Sequence, residues 1–410
     1  MKKGQLEQRL LVLVTLALVA FGLVMVFSAT SAAAALGEGD PMRFLVKQGV
    51  YALVGVVLLA VLSRVDYHSL RRLAPLLLLG ALALCVAVLI VAPPINGARR
   101  WFILGPASFQ PSELAKIAVC VWVCALLARR RTPRTVGELM RPIGLVTGVF
   151  SALILLQPDL GTTISLCVMV AGILVVSGVR LRVLVVSGTL AVGLGALSIW
   201  LEPYRRARFF SFLDPWQDAE GAGFQTVQAI IGMGSGGVTG KGLGEGVQKV
   251  FYLPEAHTDM IFAIVGEELG LIGSTFVIGA FAVFAWAGFR IALTCRDPFG
   301  KRLAAGVTTL VCGQAAVNLA AVLGIAPLTG IPLPFVSYGG SALVVFLAAA
   351  GVLLNIAVNE RVVKTRVPDR SRRNRGSREA GTRGRRGAPR ARRERDVRRV
   401  TRPRRVAAGS

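Results

Sequence analysis

Between Arg302 and Glu360 the chain runs for 57 residues without a charged side chain. A helix needs about 20 apolar residues to cross the ~30 Å hydrocarbon core of a bilayer, so this run holds two crossings and a turn. Shorter charge-free runs separate Arg9 from Glu38, Arg72 from Arg99, Asp159 from Arg180, Arg182 from Glu202, and Glu268 from Arg290. In hydrocarbon the backbone must satisfy its own polar groups, which leaves helices or a closed barrel. The runs lack the apolar–polar alternation of barrel strands. The fold class read here is therefore an all-α polytopic membrane protein of about ten transmembrane helices. Crossings are expected near residues 10–35, 44–62, 73–92, 112–128, 142–157, 161–178, 183–201, 260–289, 303–323 and 341–359. Lys2, Lys3 and Arg9 precede an apolar run about twice as long as a signal-peptide core, so the first helix is read as retained.

Orientation follows from where the basic residues fall. With both termini in the cytoplasm, the inner loops hold Arg64, Arg71 and Arg72, then Arg129 to Arg131 and Arg134, then Arg180 and Arg182, then Arg290, Arg296, Lys301 and Arg302. Two outer segments break the rule. Loop 93–111 carries Arg99 and Arg100; the large extracytoplasmic loop 202–259, between the seventh and eighth helices, carries Arg205, Arg206, Arg208, Lys241 and Lys249. Cations there are read as serving something on the outer face.

Residues 1–360 form the ten-helix domain. Residues 361–410 hold 20 Lys or Arg against 4 Asp or Glu, so most of the chain's +25 belongs to this tail. Its composition buries no core, and a disordered cytoplasmic tail drawn to anionic membrane lipids is expected. It has no aromatic residue to stack on bases, so nucleic acid is not expected as a partner. The six cysteines lie scattered, mostly in apolar runs, and the two histidines are too few for a metal centre; neither a disulfide nor a metal site is read.

Ionisable groups at membrane helices are costly and mark function. Four outer clusters carry them. The first is Asn96 to Trp101 with Gln110 to Lys116, where Glu113 and Lys116 are spaced to pair on one helix face. The second is Gln157 to Thr162, where Asp159 stands at a helix start and has capping as its alternative role. The third is the long loop: arginines 205, 206 and 208, glycines from Gly232 to Gly246 that would let backbone amides approach an anion, and Lys249 to Asp259 with His257. Asp259 lies where loop becomes helix and suits a general base. The fourth is Pro327 to Ser341, irregular backbone at membrane depth that offers the Ser337 and Ser341 hydroxyls. Together they describe an outward site fit for a lipid-linked phosphate or diphosphate.

Arg100-Trp101, Gln110 to Lys116, Gln157 to Thr162, Leu253 to Gly273 and Pro334 to Ser341 resemble, in order, the signatures of the SEDS family of cell-wall proteins (FtsW, RodA and the sporulation homologue). The resemblance spans roughly residues 10 to 360. Arg205 to Pro215 and Gln248 to His257 lean toward the division branch. Met260, Val322 and Ala342 depart from the usual pattern. The resemblance implies a peptidoglycan glycosyltransferase that polymerises lipid II at the outer face of the bacterial cytoplasmic membrane, at the division septum. It implies partnership with a class B penicillin-binding protein of the FtsI type and with other division proteins. It places the catalytic aspartate on Asp259 and further functional positions on Arg100, Trp101, Glu113, Lys116 and Asp159. With Arg205, Arg206, Arg208, Lys249, His257 and Ser337 these make up the expected substrate site. No cofactor is certain; a divalent cation, Mg or Mn, is a candidate aid to the leaving diphosphate. The rival readings are a lipid II transporter, since broken helices and buried charges also mark transporters, and a non-catalytic scaffold for the penicillin-binding protein.

Overall fold

The computed structural model describes residues 5–35, 41–95, 97–105, 107–221, 223–250, 253 and 256–366. The helices are α1 (Gln5–Ala35), α2 (Pro41–Leu62), α3 (His68–Val91), α4 (Pro111–Arg129), α5 (Val136–Leu139), α6 (Leu145–Leu156), α7 (Leu160–Val176), α8 (Leu181–Leu201), α9 (Pro203–Leu213), α10 (Phe224–Gly236), α11 (Ile261–Thr294), α12 (Pro298–Val322) and α13 (Gly340–Arg366). A π-helical turn, Met140–Gly144, joins α5 to α6 and absorbs Pro142. A small antiparallel hairpin, β1 (Phe102–Leu104) and β2 (Ala107–Phe109), lies between α3 and α4. Among the described residues nine spans are long and apolar enough to cross a membrane, and α7, at 17 residues, is a shorter apolar helix. These ten segments fall on the ten expected crossings. The tail from residue 367 lies outside the described residues.

Burial sorts the helices by role. α12 sits centrally, packed on α11, α7 and α4. α1 packs on α11 and α2, and α3 packs on α4. By contrast α8 is almost bare, with Val185, Leu190, Val192, Leu194 and Leu197 exposed. Bare apolar side chains on a membrane helix face lipid, which solvates them as well as protein would.

The long outer segment departs from the expected simple loop. Pro203 occupies the first turn of α9, where its missing amide costs nothing, and the chain then builds α9 and α10. The glycines read as an anion cradle have another role in this fold. A Cβ on Gly236 would strike the Gly266 carbonyl, and one on Gly240 the Glu268 carbonyl. They let this segment lie directly on the backbone of α11.

That contact explains a second departure. The expected crossing at 260–289 is one unbroken helix, but α11 is broken at Gly270 (φ 63°). At 1.5 Å per residue its 34 residues would reach about 50 Å, too long for one straight crossing. The part after Gly270 spans, and Ile261 to Leu269 forms a short buried helix at the outer end. Broken backbone at this depth needs partners. The Leu271 and Ile272 amides donate to the Gly237 and Val238 carbonyls, while the Lys241 and Gly242 amides donate to the Glu267 and Glu268 carbonyls. Gly240 has φ 82°, so a side chain there meets both strain and a clash. Gly240→Ala should cost about 1–3 kcal/mol, the range for a residue forced into sparsely populated backbone. Gly234→Ala, which meets open space on α10, should leave thermal unfolding in detergent unchanged or slightly raised.

Candidate active site

Four side-chain amides and hydroxyls organise the outer end of the bundle around Asp259. The Asn318 amide on α12 donates both to the Asp259 carbonyl (2.8 Å) and to the Ile331 carbonyl (2.9 Å). One turn earlier Gln314 donates to the Pro332 carbonyl (2.9 Å). Gln48 on α2 donates to the Ser337 carbonyl (3.1 Å), and the Ser337 hydroxyl accepts the Leu333 amide (2.8 Å). These bonds satisfy the irregular backbone of residues 327–339 inside the protein. The same segment holds Phe335 at φ 67°, buried between Phe284 and Phe346. Backbone strain of this kind persists only where packing fixes it.

Asp259 is half-buried. Thr258 donates to one carboxylate oxygen (3.1 Å). Gly330 lies beside the other: a Cβ built there would stand 3.9 Å from it. The ring of His257 packs against Phe44 (5.1 Å) and Tyr338 (5.3 Å), and the Tyr338 amide donates to the His257 carbonyl (2.9 Å). Burial raises the Tyr338 phenol above its ordinary value, the Tyr51 phenol adds to this, and the Arg43 guanidinium opposes it. His257, Asp259 and Ser337 thus meet at one junction of α2, α11, α12 and the 327–339 segment.

The other expected residues stand elsewhere, and most are already engaged. Lys116 is fully buried, paired with Glu113 (2.9 Å), bonded to Gln314 (2.6 Å) and set over the Phe346 ring. Both partners and the ring lie inside the bundle, so the ammonium is held within the protein. Asp159 caps α7: it accepts from the Thr162 amide (2.9 Å) and hydroxyl (2.8 Å), and from Gln110 (3.1 Å). Arg100 donates to the carbonyls of Gln157 and Pro158, each at 2.6 Å, and Arg205 to that of Leu155 (2.7 Å). Both guanidiniums therefore serve the end of α6, where unpaired carbonyls and the dipole call for cations. This accounts for outer arginines that the orientation rule disfavours. Arg206 lies over the Trp200 ring and Arg208 is half-buried on α9. Trp101 is half-buried at the start of the hairpin. Lys249 is buried in an ion pair with Glu268 (2.7 Å), so it too is committed inside the fold.

Sequence reasoning passed over Gln48, Gln314 and Asn318 as site-builders. The available signal was the pair Gln314 and Asn318, four residues apart on a helix whose neighbours are apolar. Among the described residues no three His, Cys, Asp or Glu side chains gather as a metal cage.

A polytopic helical membrane protein with a half-buried carboxylate held at the outer junction of its bundle is the class this geometry defines. The chain belongs to the cell cycle protein family of FtsW, RodA and SpoVE, whose model matches residues 8–362. It is 42% identical over 350 residues to the probable peptidoglycan glycosyltransferase FtsW of Geobacter sulfurreducens, covering 85% of this chain and 94% of that one. It is 40% identical over 359 residues to the stage V sporulation protein E of Bacillus subtilis, covering 85% and 96%. Among solved structures, a chain from a peptidoglycan synthase complex that coordinates polymerisation and crosslinking superposes with a TM-score of 0.71 at 33% identity, covering 85% of this chain and 97% of that one. The rod shape determining protein RodA of Thermus thermophilus gives 0.62 at 30% identity, covering 85% and 96%.

Proposed function

We propose that this chain is a peptidoglycan glycosyltransferase that joins lipid II units at the outer face of the cytoplasmic membrane during division. The observation that carries the reading is Asp259: a half-buried carboxylate at the loop–helix junction, its backbone carbonyl clamped by Asn318 and one carboxylate oxygen beside Gly330. The names of its relatives support the reaction class. Asp259 removes the proton from the acceptor sugar hydroxyl of one lipid II. The resulting oxygen attacks the anomeric carbon of the donor strand, and the bond to the lipid diphosphate breaks with the electron pair leaving on that diphosphate. A single displacement inverts the anomeric centre. Charge growing on the leaving group must be stabilised, a large share of catalysis in reactions of this type. A divalent ion, Mg or Mn, arriving with the diphosphate would add to this stabilisation; among the described residues no three His, Cys, Asp or Glu side chains gather to hold one.

The synthase complex among the similar structures supports a transpeptidase partner, a class B penicillin-binding protein of the FtsI type, within a septal assembly. The exposed apolar side of α11, with Leu271, Ile272, Phe276 and Ile278, is the proposed meeting surface. Lipid II supplied to the purified chain and partner in detergent tests the reading, because detergent has no second side to which substrate could be moved. Glycan polymer is the expected product. Movement of lipid II across vesicles with no polymer under any condition would favour transport instead.

A further inference from the structure

The outer cations expected to meet the diphosphate are occupied. Arg100 and Arg205 hold carbonyls, Lys116, Lys241 and Lys249 hold carboxylates, and Arg206 lies on Trp200. Arg99 donates to the carbonyls of Leu89 and Ile90. Arg208 is engaged as well. A protein cation for the leaving diphosphate, beside any divalent ion it carries, would therefore come from elsewhere on the outer face.

Two basic residues on α2 fit. Among the described residues neither Arg43 nor Lys47 has a carboxylate or carbonyl partner. They are four residues apart and so share one flank of the helix. Counting 1.5 Å per residue from Pro41, they lie about 3 and 9 Å along α2, within its first two turns. Tyr51 continues the same flank and accepts the Ser108 amide (2.9 Å), which turns this flank toward the β1–β2 hairpin. The adjoining face points to the site. Phe44 packs on His257 and Tyr338, at 5.1 and 5.4 Å, and Gln48 bonds the Ser337 carbonyl. Arg43 is exposed and directly precedes Phe44, whose ring packs on Tyr338 at 5.4 Å. The pair thus stands beside the Asp259 junction, near the outer end of α2, with no ion-pair partner among the described residues.

We infer that Arg43 and Lys47 form the subsite for the diphosphate of a lipid-linked substrate. This rests on the glycosyltransferase reading and adds to it the residues that grip the leaving group. The guanidinium offers a bidentate fork to one phosphoryl group and the ammonium a point charge to the next. Anionic membrane lipids present a related phosphate, but as a single monoanionic phosphoryl group, which two adjacent cations hold less well than the two charged phosphoryl groups of a diphosphate.

The test uses the full-length chain in detergent, in the Asp259→Asn background so that nothing turns over. Binding of undecaprenyl diphosphate and of phosphatidylglycerol is titrated against the starting protein and against Arg43→Gln/Lys47→Gln. Loss of two charge-assisted contacts should weaken diphosphate binding by about tenfold or more, with phosphatidylglycerol changed less than twofold. The exchange Arg43→Lys/Lys47→Arg should restore most of the affinity, with unchanged thermal unfolding throughout. Equal loss for both lipids would overturn the inference in favour of a general headgroup contact, and no loss for either would overturn it outright. Because binding is read without catalysis, a failure of Asp259 as the base would leave this result standing.

Discussion

Glu268→Ala should destabilise the folded chain by about 3–5 kcal/mol, the cost of leaving a buried charge without its partner. Glu268 is fully buried and takes Lys249 at 2.7 Å, with the Ser28 hydroxyl of α1 donating to both its oxygens (2.8 and 2.6 Å). Removing the carboxylate strands the Lys249 ammonium with only Ser28, at 3.3 Å. The neighbouring Glu267 is also fully buried, but it holds Lys241, which is one-third exposed, and the amides of Val247 and Gln248. Water can reach Lys241, so Glu267→Ala should cost less on the charge account and more on the orphaned amides. The pair Lys249→Met/Glu268→Leu should recover most of the loss, since an apolar pair of similar size removes both buried charges together. Thermal unfolding of the two single variants and the double variant in detergent reads this as a coupling energy. A single variant that melts with the parent would show that the clamp does not hold the outer segment to α11.

The crossings were legible because lipid imposes one rule on every segment: about 20 apolar residues, bonded internally. Charge-free runs such as 303–359 leave few other solutions. The break at Gly270 was not legible, since Glu268 to Arg290 reads as continuous apolar helix and the break depends on backbone partners from residues 237–242. The glycines of that stretch carried a true signal, close backbone approach, but sequence does not say whether an anion or another helix approaches. Likewise Lys116 and Asp159 were legible as important groups. Their partners Gln314 and Gln110 lie 198 and 49 residues away along the chain, so the local spacing could not reveal that both are satisfied within the bundle. Asn318 shows the reverse case: a polar residue in an apolar helix is conspicuous, yet its two carbonyl partners come from separate segments.

The largest effect on activity should come from Asp259→Asn, with a loss of about 10²–10⁴-fold, the usual contribution of a positioned general base. The substitution is nearly isosteric. Asn retains an oxygen for the Thr258 hydroxyl, and Asn318 binds the backbone carbonyl, which the change does not touch. Folding should therefore survive while proton removal is lost. The decisive measurement is glycan polymer formed from lipid II by the purified chain with its transpeptidase partner, wild type against Asp259→Asn, with equal thermal unfolding as the control. Polymer from the wild type and essentially none from the variant is the result this account predicts. Equal polymer from both would contradict it and return the chemistry to another carboxylate, with Asp159 the next to change.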